Sequence, residues 1–126
     1  MSNVCGCVTV LNDLTEKAHK TAVEHGFYDD YSDLCEAVMA ADAPHAAKTA
    51  RRDFVLAQLA KIASEVGECV DVVQKQEDYD GLWEELADIV IRTMDLASFM
   101  GYALGDLVSA KMIKNESRPY KHGKLC

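Results

Sequence analysis

A chain of 126 residues, 49% of them apolar and carrying a net charge of −8, suits one globular domain over residues 1–126. That composition excludes a disordered chain, and the acidic balance argues against nucleic acid as a partner. No uncharged apolar run reaches the roughly 18 residues that a membrane span needs, so no membrane partner is expected either.

The N-terminal stretch MSNVCGCVTVLND has neither the basic segment nor the long apolar segment of a secretory leader. Its CVTVL, residues 7–11, is the one β-like stretch in the chain, and it is short. A helix is predicted from about Asp13 to His25: Asp13 and Glu16 form a capping pair, and Gly26 supplies the stop. GFYDDYSD then reads as a turn. A short helix follows from Asp33 to Ala41 and ends in the Asp-Ala-Pro at 42–44. A long helix runs from near Ala47 to about Gln76, closed by the polar turn EDYDG. Another spans Leu82 to Met100 before Gly101. A last helix runs from Leu104 to about Asn115, and Pro119 forbids its simple continuation. The expected architecture is an all-α bundle of four to five helices with short connections. Cys5, Cys7, Cys35, Cys69 and Cys126 form an odd set without framework spacing, which reads as free thiols in a cytoplasmic protein.

The long helix contains SEVGECVDVV, residues 64–73, in which Glu65 and Glu68 stand three apart among apolar neighbours. On a wheel at about 100° per residue with Glu65 at zero, Cys69, Ile62, Val55, Val73, Val66, Leu59 and Val70 fall between about 40° and 140°. Phe54 and Val72 fall on the other side of Glu65, and Glu68 lies at the edge of the stripe. The next helix repeats the pattern. With Glu85 at zero, Leu96, Ile89, Leu82, Met100, Leu86 and Val90 form the apolar stripe, and Asp88 lies at its edge near 300°. Consecutive helices joined by a short turn pack antiparallel, so the spacing predicts that Glu65, Glu68, Glu85 and Asp88 converge. Converging carboxylates repel unless a cation sits among them, and an all-oxygen set suits Mg²⁺ or Mn²⁺. The same spacing also fits salt bridges to Lys61 or Arg92, or a solvated face. A di-iron centre fits poorly, because only one ExxH pair, Glu16 and His19, is present.

Charge is unevenly distributed. Residues 111–126, KMIKNESRPYKHGKLC, hold Lys111, Lys114, Arg118, Lys121 and Lys124 against the single acid Glu116. Lys111 and Asn115 share the face of Leu104 and Val108. An acidic cluster with a basic tail is what a divalent cation and a polyphosphate together require.

EVGE at 65–68, ELAD at 85–88 and the KMIKNESRPYKHGK tail, with AHKTAVEHGFYDD near the front, resemble the MazG-like nucleoside triphosphate pyrophosphohydrolases. That all-α superfamily includes α-helical dUTPases, dCTP pyrophosphatases and phosphoribosyl-ATP pyrophosphohydrolases. The resemblance covers most of the chain and is weakest from about residue 31 to residue 50. It implies Glu65, Glu68, Glu85 and Asp88 as catalytic ligands of Mg²⁺, with Mn²⁺ able to substitute. It implies hydrolysis of (deoxy)nucleoside triphosphates at the α-phosphorus to a monophosphate and pyrophosphate, a house-cleaning of the nucleotide pool. Lys111, Asn115, Arg118 and Tyr120 would contact phosphates and ribose, with Lys124 and His122 as further contacts. Relatives of this size imply a homodimer or homotetramer. Phe27, Tyr28 and Trp83 are candidates for stacking on a base, although Trp83 also reads as core. Asp95 is expected to pair with a tail lysine or Arg92. The alternatives are phosphoribosyl-ATP hydrolysis, with the same chemistry, and a non-enzymatic helical interaction module whose acids are solvated.

Overall fold

The computed structural model describes residues 4–77 and 79–120, and every regular element among them is helical. The first helix, α1, runs Val4–Glu24 and starts well before Asp13. CVTVL is therefore helical, not a strand. Val8, Leu11, Thr15, Ala18 and Ala22 recur at helical spacing and are all at least half-buried, whereas Val10 faces solvent. Asp13, expected at the N-cap, is an exposed mid-helix residue.

Three helices end with the same device. At the end of α1, Gly26 takes φ 78°. Its N–H donates to the Val23 carbonyl, and the Phe27 N–H donates to that of Ala22. The second helix, α2 (Asp29–Ala40), begins four residues before its predicted start, with Asp29 and Asp30 in the first turn where the helix dipole favours acids. It closes through Asp42, whose φ of 49° is left-handed. The third, α3 (Pro44–Asp71), starts on Pro44, the residue type whose missing N–H costs least at a first position. The expected α-helix to Gln76 gives way to a wider π turn at Val72–Gln76. The fourth, α4 (Tyr79–Phe99), ends through Gly101 at φ 80°. The fifth, α5, covers Leu104–Glu116.

No side chain of its own caps α5. The cap comes from α1: the Gly105 N–H donates to Asn12 Oδ1 at 2.7 Å, and Asn12 Nδ2 donates to Asp106 Oδ2 at 2.9 Å. The two helices approach closely there. A Cβ on Gly105 would collide with the Val8 carbonyl oxygen and with Asn12 Oδ1.

Helix α4 lies at the centre, packed against α1 on one flank and α3 on the other. Helix α2 packs on α3, and α5 packs on α1. The result is the expected all-α bundle, with α4 packed on both α1 and α3. Tyr28, Cys69 and Met94 are the buried apolar side chains among the described residues. An aromatic cluster closes one end: Tyr31 and Phe54 ring centres lie 4.4 Å apart, Phe54 and Phe99 4.9 Å, and Tyr28 and Phe99 5.3 Å. The chain exposes 9553 Å², against roughly 6,700 Å² for a compact monomer of its mass.

Candidate metal centre

Glu65 sits on α3 one turn before Cys69, and both are buried against α4. From α4, Glu85 reaches across to them. Glu65, Glu68 and Glu85 each offer a carboxylate oxygen within 4.8 Å of the others. Glu65 is 8% exposed, Glu85 is half-buried and Glu68 is exposed, so the cluster runs from the helix interface out to solvent. Asp88 lies outside this close group. It is exposed one turn along α4, near enough that its charge acts on Glu85.

Burial first, then a hydrogen bond to Glu65, then the charges of Glu68, Glu65 and Asp88 push the Glu85 pKa up. Beside them the Cys69 thiol is also pushed up, by burial and by the Glu85, Glu65 and Glu68 charges. Three crowded carboxylates, all hard oxygen donors and short of positive charge, fit a hard divalent cation of the Mg²⁺ or Mn²⁺ type. One cation is already present: Arg92 Nε donates to Glu65 Oε1 at 2.7 Å, and Nη2 lies 2.7 Å from the same oxygen as an ion pair. Lys61, the other partner considered for these acids, stays exposed.

A cleft of about 570 Å³ opens beside the cluster, between α1 and α4. Asp88 and Arg92 form its wall on the metal side. Lys17, Thr21, His25, Phe27 and Asp95 complete its polar and aromatic lining. Lys121 and Lys124 lie outside the described residues, and among those residues Asp95 pairs neither with Arg92 nor with a tail lysine. Its Oδ1 accepts the Tyr28 hydroxyl at 2.7 Å and lies 2.8 Å from His19 Nδ1. Burial, followed by that hydrogen bond and the Asp95 charge, drives the Tyr28 hydroxyl far above its ordinary pKa, so it remains a donor. His19 thus anchors α1 to α4, and Tyr28 ties the start of α2 to the same carboxylate. Trp83, read from the sequence as a core residue, is 68% exposed.

The MazG nucleotide pyrophosphohydrolase domain matches residues 55–122, more than half of the chain. The chain belongs to this family. Searches of curated proteins and of solved structures return no match. The part of this MazG domain that matches holds all four acids and Lys111, Asn115, Arg118 and Tyr120. Helices α1 and α2 and the start of α3 lie before it. They bring the His19–Asp95 anchor and the α1 wall of the cleft.

Lys111 and Asn115 are exposed on α5, Arg118 just past its end, and Tyr120 is 88% exposed. Helix α5 packs on α1 and only lightly on α4. Among the described residues no ion pair joins Lys111 or Arg118 to the acids. Lys124 and His122 lie outside the described residues. Sequence reasoning treated Arg92 only as a possible salt-bridge partner. A signal was available, because Arg92 falls about 20° from Glu85 on the same wheel, between it and Asp88.

Proposed function

We propose that this MazG domain is a Mg²⁺-dependent pyrophosphohydrolase that cleaves (deoxy)nucleoside triphosphates to a nucleoside monophosphate and pyrophosphate. The observation that carries the reading is the convergence of Glu65, Glu68 and Glu85 inside the matched family segment. Glu65, Glu68 and Glu85 hold the cation, and Asp88 extends the acidic edge toward the cleft. When bound, the cation supplies Lewis-acid polarisation of phosphate oxygens and an acidified water as nucleophile; Mn²⁺ can replace Mg²⁺. The residues of the chain do the positioning that phosphoryl transfer requires. The cleft between α1 and α4 takes the nucleoside, with the exposed Phe27 ring at its rim for stacking. Lys111, Asn115, Arg118, Tyr120 and Lys124 contact the phosphates and ribose.

Assembly is part of this reading. On the flank of α3, Leu59, Val66 and Val70 are about half exposed, and on α4 so is Val90, with Trp83 more exposed still. They belong to the apolar stripes of the two helices, and Val66 and Val70 line an apolar groove with Cys69, Val73, Gln74 and Leu82. A second copy covers such a face, giving a homodimer or homotetramer.

The test is a panel of ribo- and deoxyribonucleoside triphosphates assayed with Mg²⁺. Monophosphate and pyrophosphate are the expected products, and release of orthophosphate would overturn the reading. Glu65→Gln should lower kcat by roughly a hundredfold or more, with helicity by circular dichroism unchanged.

A further inference from the structure

Arg92 is in a position that a structural salt bridge does not require. Its Nε–H donates to Glu65 Oε1, and its Nη2 lies 2.7 Å from that same oxygen, so the guanidinium is held at one carboxylate oxygen and not spread over two. The partner carboxylate is buried, while Arg92 itself is 42% exposed at the side chain. Its guanidinium therefore touches the acid cluster from the solvent side, and the same residue forms part of the cleft wall between Asp88 and Asp95. A cation on Glu65 neutralises crowded carboxylates when nothing else does. By Coulomb's law it also opposes a second cation on that carboxylate.

We infer that Arg92 changes partner: in the metal-free site its guanidinium stands in as the counter-cation of Glu65, and when a divalent ion takes that carboxylate the guanidinium turns into the cleft and binds the phosphate chain of the substrate. The inference rests on the pyrophosphohydrolase reading and assigns a substrate-binding residue to that site. The geometry supports both ends of the movement. At one end, a single carboxylate oxygen holds the side chain, so release breaks contacts to one atom. At the other end, Arg92 already lines the cleft, and a polyanion entering beside Asp88 and Asp95 needs that positive charge to offset their repulsion. A guanidinium offers two parallel donors to a phosphate, which a lysine does not.

The experiment compares wild type and Arg92→Gln in two titrations. In the first, Mn²⁺ is added to nucleotide-free protein and followed by electron paramagnetic resonance. The variant should bind Mn²⁺ about tenfold more tightly, because the competing cation is gone. In the second, protein at saturating Mg²⁺ is titrated with the α,β-methylene analogues of the four deoxynucleoside triphosphates. For the analogue that wild type binds best, the variant should bind about tenfold more weakly. Unchanged or weaker Mn²⁺ binding shows that Arg92 positions Glu65 and does not compete with the ion, which overturns the inference. Unchanged analogue binding overturns it as well. If Arg92→Gln does not fold, Arg92→Lys serves instead: near-wild-type Mn²⁺ affinity with weakened analogue binding supports the exchange, and wild-type analogue binding defeats it. Wild-type protein that binds neither ion nor analogue defeats the pyrophosphohydrolase reading itself. Wild-type binding with no change in the variant defeats only the role of Arg92.

Discussion

Glu65 shows how a buried acid is retained in an otherwise apolar helix interface. Isolated, a carboxylate that is 8% exposed would be heavily penalised. Arg92 offsets that cost, and Glu85 relieves it from the other side by holding its proton to a higher pH than usual. A pH dependence follows. The ordinary Glu85 pKa is 4.5, and the folded value lies above it. Between the two values the folded protein keeps a proton that the unfolded chain has released. The Glu85 contribution to metal-free stability therefore falls as pH rises through that window, and its full cost is felt above it. In thermal melts without metal, wild type should lose stability relative to Glu85→Gln as pH rises from about 4.5 toward neutrality. Mg²⁺ at neutral pH should stabilise wild type and leave the variant little changed. A wild-type melting temperature that gained on the variant over the same range would mean that Glu85 is favoured as the carboxylate.

Among the elements, the junction of α1 with α5 depends on two residues that carry no catalytic chemistry. Asn12 caps a helix that begins more than ninety residues later in the chain. Its replacement by Ala should destabilise the fold by about 1–2 kcal/mol, the usual cost of losing a cap. Gly105→Ala should cost about 1–3 kcal/mol, because the backbones of α1 and α5 must separate to admit the methyl group. Urea denaturation followed by circular dichroism measures both. A neutral Gly105→Ala would mean that the close approach of α5 to Val8 is easily relaxed. Helix ends at Gly26 and Gly101 were legible in the sequence because only glycine takes the left-handed conformation without steric cost. The early start of α1 was not, since alternation over five residues resembles a strand until its burial is known.

At the scale of the whole molecule, the order of packing in the bundle sets α4 against both α1 and α3. Few apolar side chains are then buried, and stripes that the wheels place toward a core reach solvent at Leu59, Val66, Val70 and Val90. Burying such surface against a second copy contributes roughly 25 cal/mol per Å². The protein should have at least a dimeric mass by light scattering at micromolar concentration. Placing two charges on this face, Leu59→Glu with Val70→Glu, should yield a smaller and less stable species. A wild-type mass equal to one chain would contradict the assembly. Among the described residues no helix is long and apolar enough to cross a membrane.

Local periodicity and the glycine stops carried the all-α class, most helix boundaries and the approach of Glu65, Glu68 and Glu85, because each is set by the spacing of residues along one helix or by a single short turn. Tertiary structure alone decided the rest. Asp95 binds Tyr28 and His19, Glu65 takes Arg92, Asn12 caps α5 and Trp83 faces solvent; each depends on which helix lies beside which. A wheel gives the direction in which a side chain points, but the neighbour it meets is set by the order in which the whole chain packs.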